Sequence, residues 1–132
     1  MKQTIYTDKF LRKKKIAKFS NVLKELWEKK AENVVALDIT KFYTYADYVL
    51  ICTGTSTKHT QSIADAVYEK AKEQKKQVLI EGYNEGTWIL LDLGEVVVHI
   101  FTEDKRDLYN LEGLWFDAPY YLIKDKESIS NG

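Results

Sequence analysis

Apolar residues along this chain switch between two spacings. Ile16, Phe19, Leu23 and Leu26 recur at steps of three and four, and Val22 and Trp27 widen the stripe. That period predicts an amphipathic helix ending near Lys30. Val34–Ile39 and Asp47–Thr53 are then near-continuous apolar runs, which read as buried strands, with Phe42, Tyr43 and Tyr45 in the connection. Helical spacing returns at Thr60, Ile63, Ala64, Val67 and Ala71, and Val78–Gly82 reads as a third strand. Buried strands separated by helices suit a sheet with parallel pairs.

The most informative pattern lies between Thr87 and Phe101, where two β-branched and aromatic runs flank Gly94-Glu95. Glycine at the first central position of a two-residue turn suits type II′, because it reaches positive φ without a Cβ clash. The turn sets Leu93 opposite Val96, Leu90 opposite His99 and Trp88 opposite Phe101. Alternation then gives the hairpin two faces. One carries Ile89, Leu91, Leu93, Val96, Val98 and Ile100 and is core. The other carries Trp88, Leu90, Asp92, Val97, His99 and Phe101. It is too apolar for open water and too polar for an ordinary core.

After Thr102, a charged turn Glu103–Asp107 leads into a short helix on which Leu108, Leu111 and Leu114 or Trp115 share a side. This helix could cover the mixed face. Partial cover would leave Trp88, Asp92, His99 and Tyr109 beside one another. Trp88 and Phe101 alone offer roughly 300–500 Å² of aromatic surface, near the upper limit a monomer leaves open. Tryptophan and tyrosine ringed by a few polar groups have the make-up of an interface hot spot.

Length and charge narrow the classes. A chain of 132 residues fits one domain, able to bury roughly two-thirds of its unfolded surface. Twenty basic residues balance twenty acidic ones, so contact with nucleic acid needs a local patch. Lys13-Lys14-Lys15 is the candidate, either a solvated helix face or a peripheral contact to ribosomal RNA. One cysteine, Cys52, lies in a strand pattern and reads as a core residue in a reducing, cytoplasmic setting. No apolar run approaches the ~20 residues of a membrane span.

The chemistry of an enzyme is hard to assemble. His59 and His99 have no partner at metal-ligand spacing, so no metal or other cofactor is expected. Ser56 is not on a Gly-x-Ser-x-Gly elbow. Gly54–Thr57 could hold a phosphate on helix amides, yet it lacks the P-loop ending and the dinucleotide glycines; Ser56 or Thr57 as an N-cap explains it without a ligand. His59, in the first turn of that helix, is expected to be exposed. Asp38, Asp47 and Asp92 each stand without a second acid two positions away, so no carboxylate pair for magnesium is evident.

Four stretches give a resemblance. LDIT at Leu37–Thr40, ADYVLICTGTSTKHTQSIADAV at Ala46–Val67, EGYNEGTWILLDLGEVVVHIF at Glu81–Phe101 and RDLYNLEGLW at Arg106–Trp115 are similar to the ribosomal silencing factor family, also called Iojap-like proteins. The likeness runs from about Phe19 to Pro119. It implies a small α/β domain shaped like a nucleotidyltransferase but without the catalytic acids. It also implies binding to the large ribosomal subunit through ribosomal protein L fourteen, which blocks joining of the small subunit and represses translation. Family members also form homodimers in isolation. Position by position, the partner-facing signature falls on Trp88, Asp92, His99, Tyr109 and Trp115, with Leu90, Arg106 and Glu112 as neighbours.

The expectation is therefore a non-enzymatic repressor, built as a single α/β domain on a mixed sheet of about five strands. Residues 1–18 form an N-terminal extension, 19–119 the domain and 120–132 a polar tail. The competing classes are a nucleotide-dependent transferase using Gly54–Thr57 with Asp38 or Asp47, and a homo-oligomer with no ribosomal role.

Overall fold

A computed structural model describes residues 2–6, 20–40, 46–110, 113, 118 and 120–124. Its strands are β1 (Lys2–Tyr6), β2 (Glu32–Asp38), β3 (Tyr48–Gly54), β4 (Leu79–Glu81), β5 (Trp88–Asp92), β6 (Val96–Thr102) and β7 (Tyr120–Lys124). They form one sheet in the order β1-β7-β2-β3-β6-β5-β4. The described helices are α1 (Ser20–Glu28), α2 (Thr57–Glu73) and α3 (Glu103–Tyr109). None of them is long and apolar enough to cross a membrane. Pairing is parallel for β3–β6 and β1–β7 and antiparallel elsewhere, so the fold is α/β on a mixed sheet.

The sheet has seven strands where the residue pattern suggests about five. The two additions lie in the segments read as extension and tail. β7 is only five residues long, too short for a clear period, and it is recruited by β2 through Val35 opposite Leu122. β1 has no apolar alternation of its own and finds its place only against β7. Lys13, Lys14 and Lys15 lie outside the described residues.

Period decides which side each residue faces. Val34 and Ala36 of β2, Leu50 and Cys52 of β3, Ile89 and Leu91 of β5, and Val98 and Ile100 of β6 share one face. Against it pack Val22, Leu23 and Leu26 from α1 and Ile63, Ala64 and Val67 from α2. Cys52 is fully buried there and burial pushes its thiol up to about 12, which suits a core residue. Helix α2 starts where Ser56 accepts the amide of His59 at 3.1 Å.

The hairpin has the register its turn dictates: Trp88 opposite Phe101, Leu90 opposite His99 and Asp92 opposite Val97. Gly94 has φ +93°, and the Leu93 amide donates to the Val96 carbonyl at 2.9 Å. Helix α3, in contrast, begins at Glu103 and so takes in the stretch read as a charged turn. Glu103 and Asp104 in its first turn complement the helix dipole, and Thr102 donates to Asp104 at 2.7 Å. The helix stops at Asn110, whose φ of 44° is left-handed. Leu111, Leu114 and Trp115 lie outside the described residues.

Candidate partner-binding face

Among the described residues, no long helix packs on the second face of the sheet. Val35, Leu37 and Ile39 from the β2 region, Val49 and Ile51 from β3, and Val97 and Phe101 from β6 cluster with Ala118. Trp88, Leu90 and Leu122 pack at the margin of this cluster and are only half-buried. The mixed face of the hairpin is thus partly covered, and its cover ends at the tryptophan.

Four aromatic rings meet at that margin. Trp88 stacks on Phe101 with centroids 5.1 Å apart and planes 24° off parallel. Tyr109, delivered by the end of α3, sits 4.6 Å from Trp88 and 6.2 Å from Phe101. His99 lies 5.9 Å from Trp88 and accepts its indole N–H at Nδ1, 3.0 Å away. Phe101 is fully buried, while Tyr109 remains 47% exposed and the neighbouring Leu108 68% exposed. Both tyrosine and leucine are therefore available to another molecule.

His99 is not outward-facing. Only 6% of it is exposed, and burial pulls its pKa down from 6.5 to about 4. An indole nitrogen can only donate, so Nδ1 must be unprotonated and the neutral ring carries its proton on Nε2. The pairing could have been read from the hairpin register. Residues diagonal across an antiparallel pair, such as Trp88 and His99, are within reach when aromatic.

Arg106 is also directed inward. Its guanidinium donates to the Asn33 carbonyl at 2.6 Å and to Thr53 Oγ1 at 2.9 Å. These bonds fasten α3 across the ends of β2 and β3. The residues that receive them gave no signal in the sequence, since a left-handed Asn33 and a buried Thr53 acquire meaning only from the fold. Asp92 stands apart from the aromatic group, contrary to the expected grouping. It lies four residues from Trp88 along β5, about 13 Å at strand rise, and its carboxylate accepts the Gly94 amide at 2.9 Å. Glu112 and Trp115 lie outside the described residues.

The features of a transferase are not brought together. Asp38 ends β2 and accepts both the amide and hydroxyl of Thr40. Asp38 and Asp47 flank the Tyr48 end of β3, and Gly54 closes the other end, about 20 Å away at strand rise. The Gly54–Thr57 turn is bound up internally. The Thr55 amide donates to His59 Nδ1 at 2.8 Å, and His59 Nε2 bonds the Lys29 carbonyl at 2.6 Å. His59 is therefore half-buried and tied to the end of α1, not exposed. A Cβ on Gly54 would stand 2.7 Å from Thr60 Cγ2, so close packing accounts for this glycine. The adjoining cleft, about 640 Å³, is lined by Glu103, Asp104 and Asp107 as well as threonines. Carboxylates there repel a phosphate.

Comparison with known proteins shows the family. The family model described as "Ribosomal silencing factor during starvation" matches residues 12–131. The ribosomal silencing factor of Bacillus subtilis is 50% identical over 93 residues, covering 70% of this chain and 79% of that protein. A crystal structure from Bacillus halodurans superposes with a TM-score of 0.71 at 41% identity, covering 79% of this chain and 95% of the other. One from Chromobacterium violaceum gives 0.71 at 31% identity, with coverage of 76% and 83%. A match from residue 12 to residue 131, with half-identical relatives inside it, means that the chain belongs to the ribosomal silencing factor family.

Proposed function

We propose that this protein binds the large ribosomal subunit in the cytoplasm and represses translation by keeping the small subunit from joining. The half-buried Trp88, in ring contact with the exposed Tyr109, is the observation that carries this reading. An aromatic anchor at the rim of a partly covered face has the composition of a hot spot. The name of the family supports the ribosome as partner. Ribosomal protein L fourteen is the proposed contact, and the mechanism is steric, with no catalytic step. Trp88, Tyr109 and Leu90 supply apolar contact, and Asp92 would meet the partner at the far end of β5; Trp115 and Glu112, outside the described residues, are proposed as partner contacts on the family resemblance.

Sedimentation with separated subunits and with joined ribosomes tests the reading. The wild-type chain should travel with free large subunits and not with joined ribosomes. Trp88→Ala should weaken that association by about 2 kcal/mol or more. Undiminished co-sedimentation of Trp88→Ala would remove this face from the interface. A second copy of the chain could cover the same patch, so a homodimer formed in isolation should compete with the ribosome. Lys13, Lys14 and Lys15 would add a peripheral contact to ribosomal RNA. Neutralising all three should flatten the salt dependence of binding.

A further inference from the structure

We propose that His99 is a positioning residue for the docking face: it holds the Trp88 indole in its binding orientation and does not itself touch the partner. This inference rests on the ribosome-binding reading above. The geometry is specific. Trp88 Nε1 donates to His99 Nδ1 at 3.0 Å, from a ring already stacked on Phe101. With 6% of its surface exposed, His99 has almost nothing to offer another molecule.

Stacking alone leaves an ambiguity that the hydrogen bond removes. The χ2 torsion of tryptophan is broad and roughly two-fold, so an indole in contact with Phe101 and Tyr109 can lie either way round. Only one way brings its N–H to Nδ1. Burial keeps the imidazole neutral across the ordinary pH range, since protonation of Nδ1 would set donor against donor. The committed N–H also defines what the partner must offer. Trp88 then presents only its carbon face and edge, so the group it meets on the large subunit is not an acceptor of this N–H.

The test uses the full chain, purified large subunits and three substitutions. His99→Phe keeps a ring but loses the acceptor, His99→Gln keeps an acceptor, and Trp88→Phe keeps a ring but loses the N–H. Affinity is measured for each, along with the indole ¹H–¹⁵N resonance of Trp88 in the free protein. His99→Phe should weaken binding about tenfold and move the indole resonance. His99→Gln should keep both near wild type. In a Trp88→Phe background, His99→Phe should cost nothing further. The same loss in both backgrounds would overturn the proposal, because His99 would then act on the partner directly.

If His99→Phe does not fold, His99→Gln decides the matter. Resonance and affinity that both stay near wild type uphold the proposal. A change in either overturns it. The ribosome-binding reading fails separately, if Trp88→Ala binds like wild type while the resonance still responds to His99.

Discussion

The sheet presents the same strands to two different environments. On one face, α1 and α2 seal Leu50, Leu91, Val98 and Ile100 beneath apolar side chains, and the histidine and tryptophan of the hairpin are absent. On the other, the neighbouring residues of the same strands, Val49, Val97, His99 and Phe101, are covered only as far as Trp88 and Tyr109. Burial on the first face serves stability. The second retains a buried imidazole and an exposed phenol ring, neither of which an aliphatic core needs. Such departures from an apolar interior are where a binding role is expected.

Substitutions on each face separate these roles. The largest loss should come from Leu50→Ala, which empties a fully buried site between α2 and the sheet. About 2–5 kcal/mol of stability should disappear, read as a lower denaturant midpoint, while whatever remains folded still binds ribosomes. The His99 contribution is next. Its folded pKa of about 4 lies below the ordinary 6.5, so between those values the unfolded chain binds more protons. Stability is therefore complete above about pH 6.5 and is lost as the pH falls toward 4. The whole step is worth about 3 kcal/mol. Denaturant titrations at several pH values should show that slope in the wild type and a shallower one in His99→Gln, which has no imidazole to titrate.

Gly54→Ala sits between the faces and tests the turn instead. Its new Cβ would crowd the Thr60 side chain and backbone, and overpacking of that kind costs about 1–3 kcal/mol. A thermal midpoint equal to wild type would show that the start of α2 can shift to admit it. Smallest of all should be Leu108→Ser. At 68% exposure it should alter stability by less than about 0.5 kcal/mol yet still reduce ribosome binding. A large loss of stability would place Leu108 under cover and shrink the docking patch.

Much of this organisation could be read from residue order. The hairpin was legible because Gly94 fixes its turn and a period of two then assigns every side chain. The buried face of α2 was equally plain, from Thr60 to Ala71. β1 and β7 were not, because short strands draw their pairing from neighbours distant in the chain. Among the residues that the pattern and the resemblance single out, Trp88 and Tyr109 do meet. His99 and Arg106 instead bond within the chain, since a face assignment says nothing about which polar group finds an internal partner.

Local sequence thus determined the periods, the turns, the two-faced hairpin and the aromatic residues that gather on one side, because each depends on steric preferences spanning a few positions. Only the tertiary structure decided where cover stops. It placed the end of α3 against Trp88, gave the indole N–H to His99 and sent Arg106 to Thr53 and Asn33. Those outcomes depend on segments far apart in the chain competing for the same surface and the same hydrogen-bonding groups, a competition that no short window of residues contains.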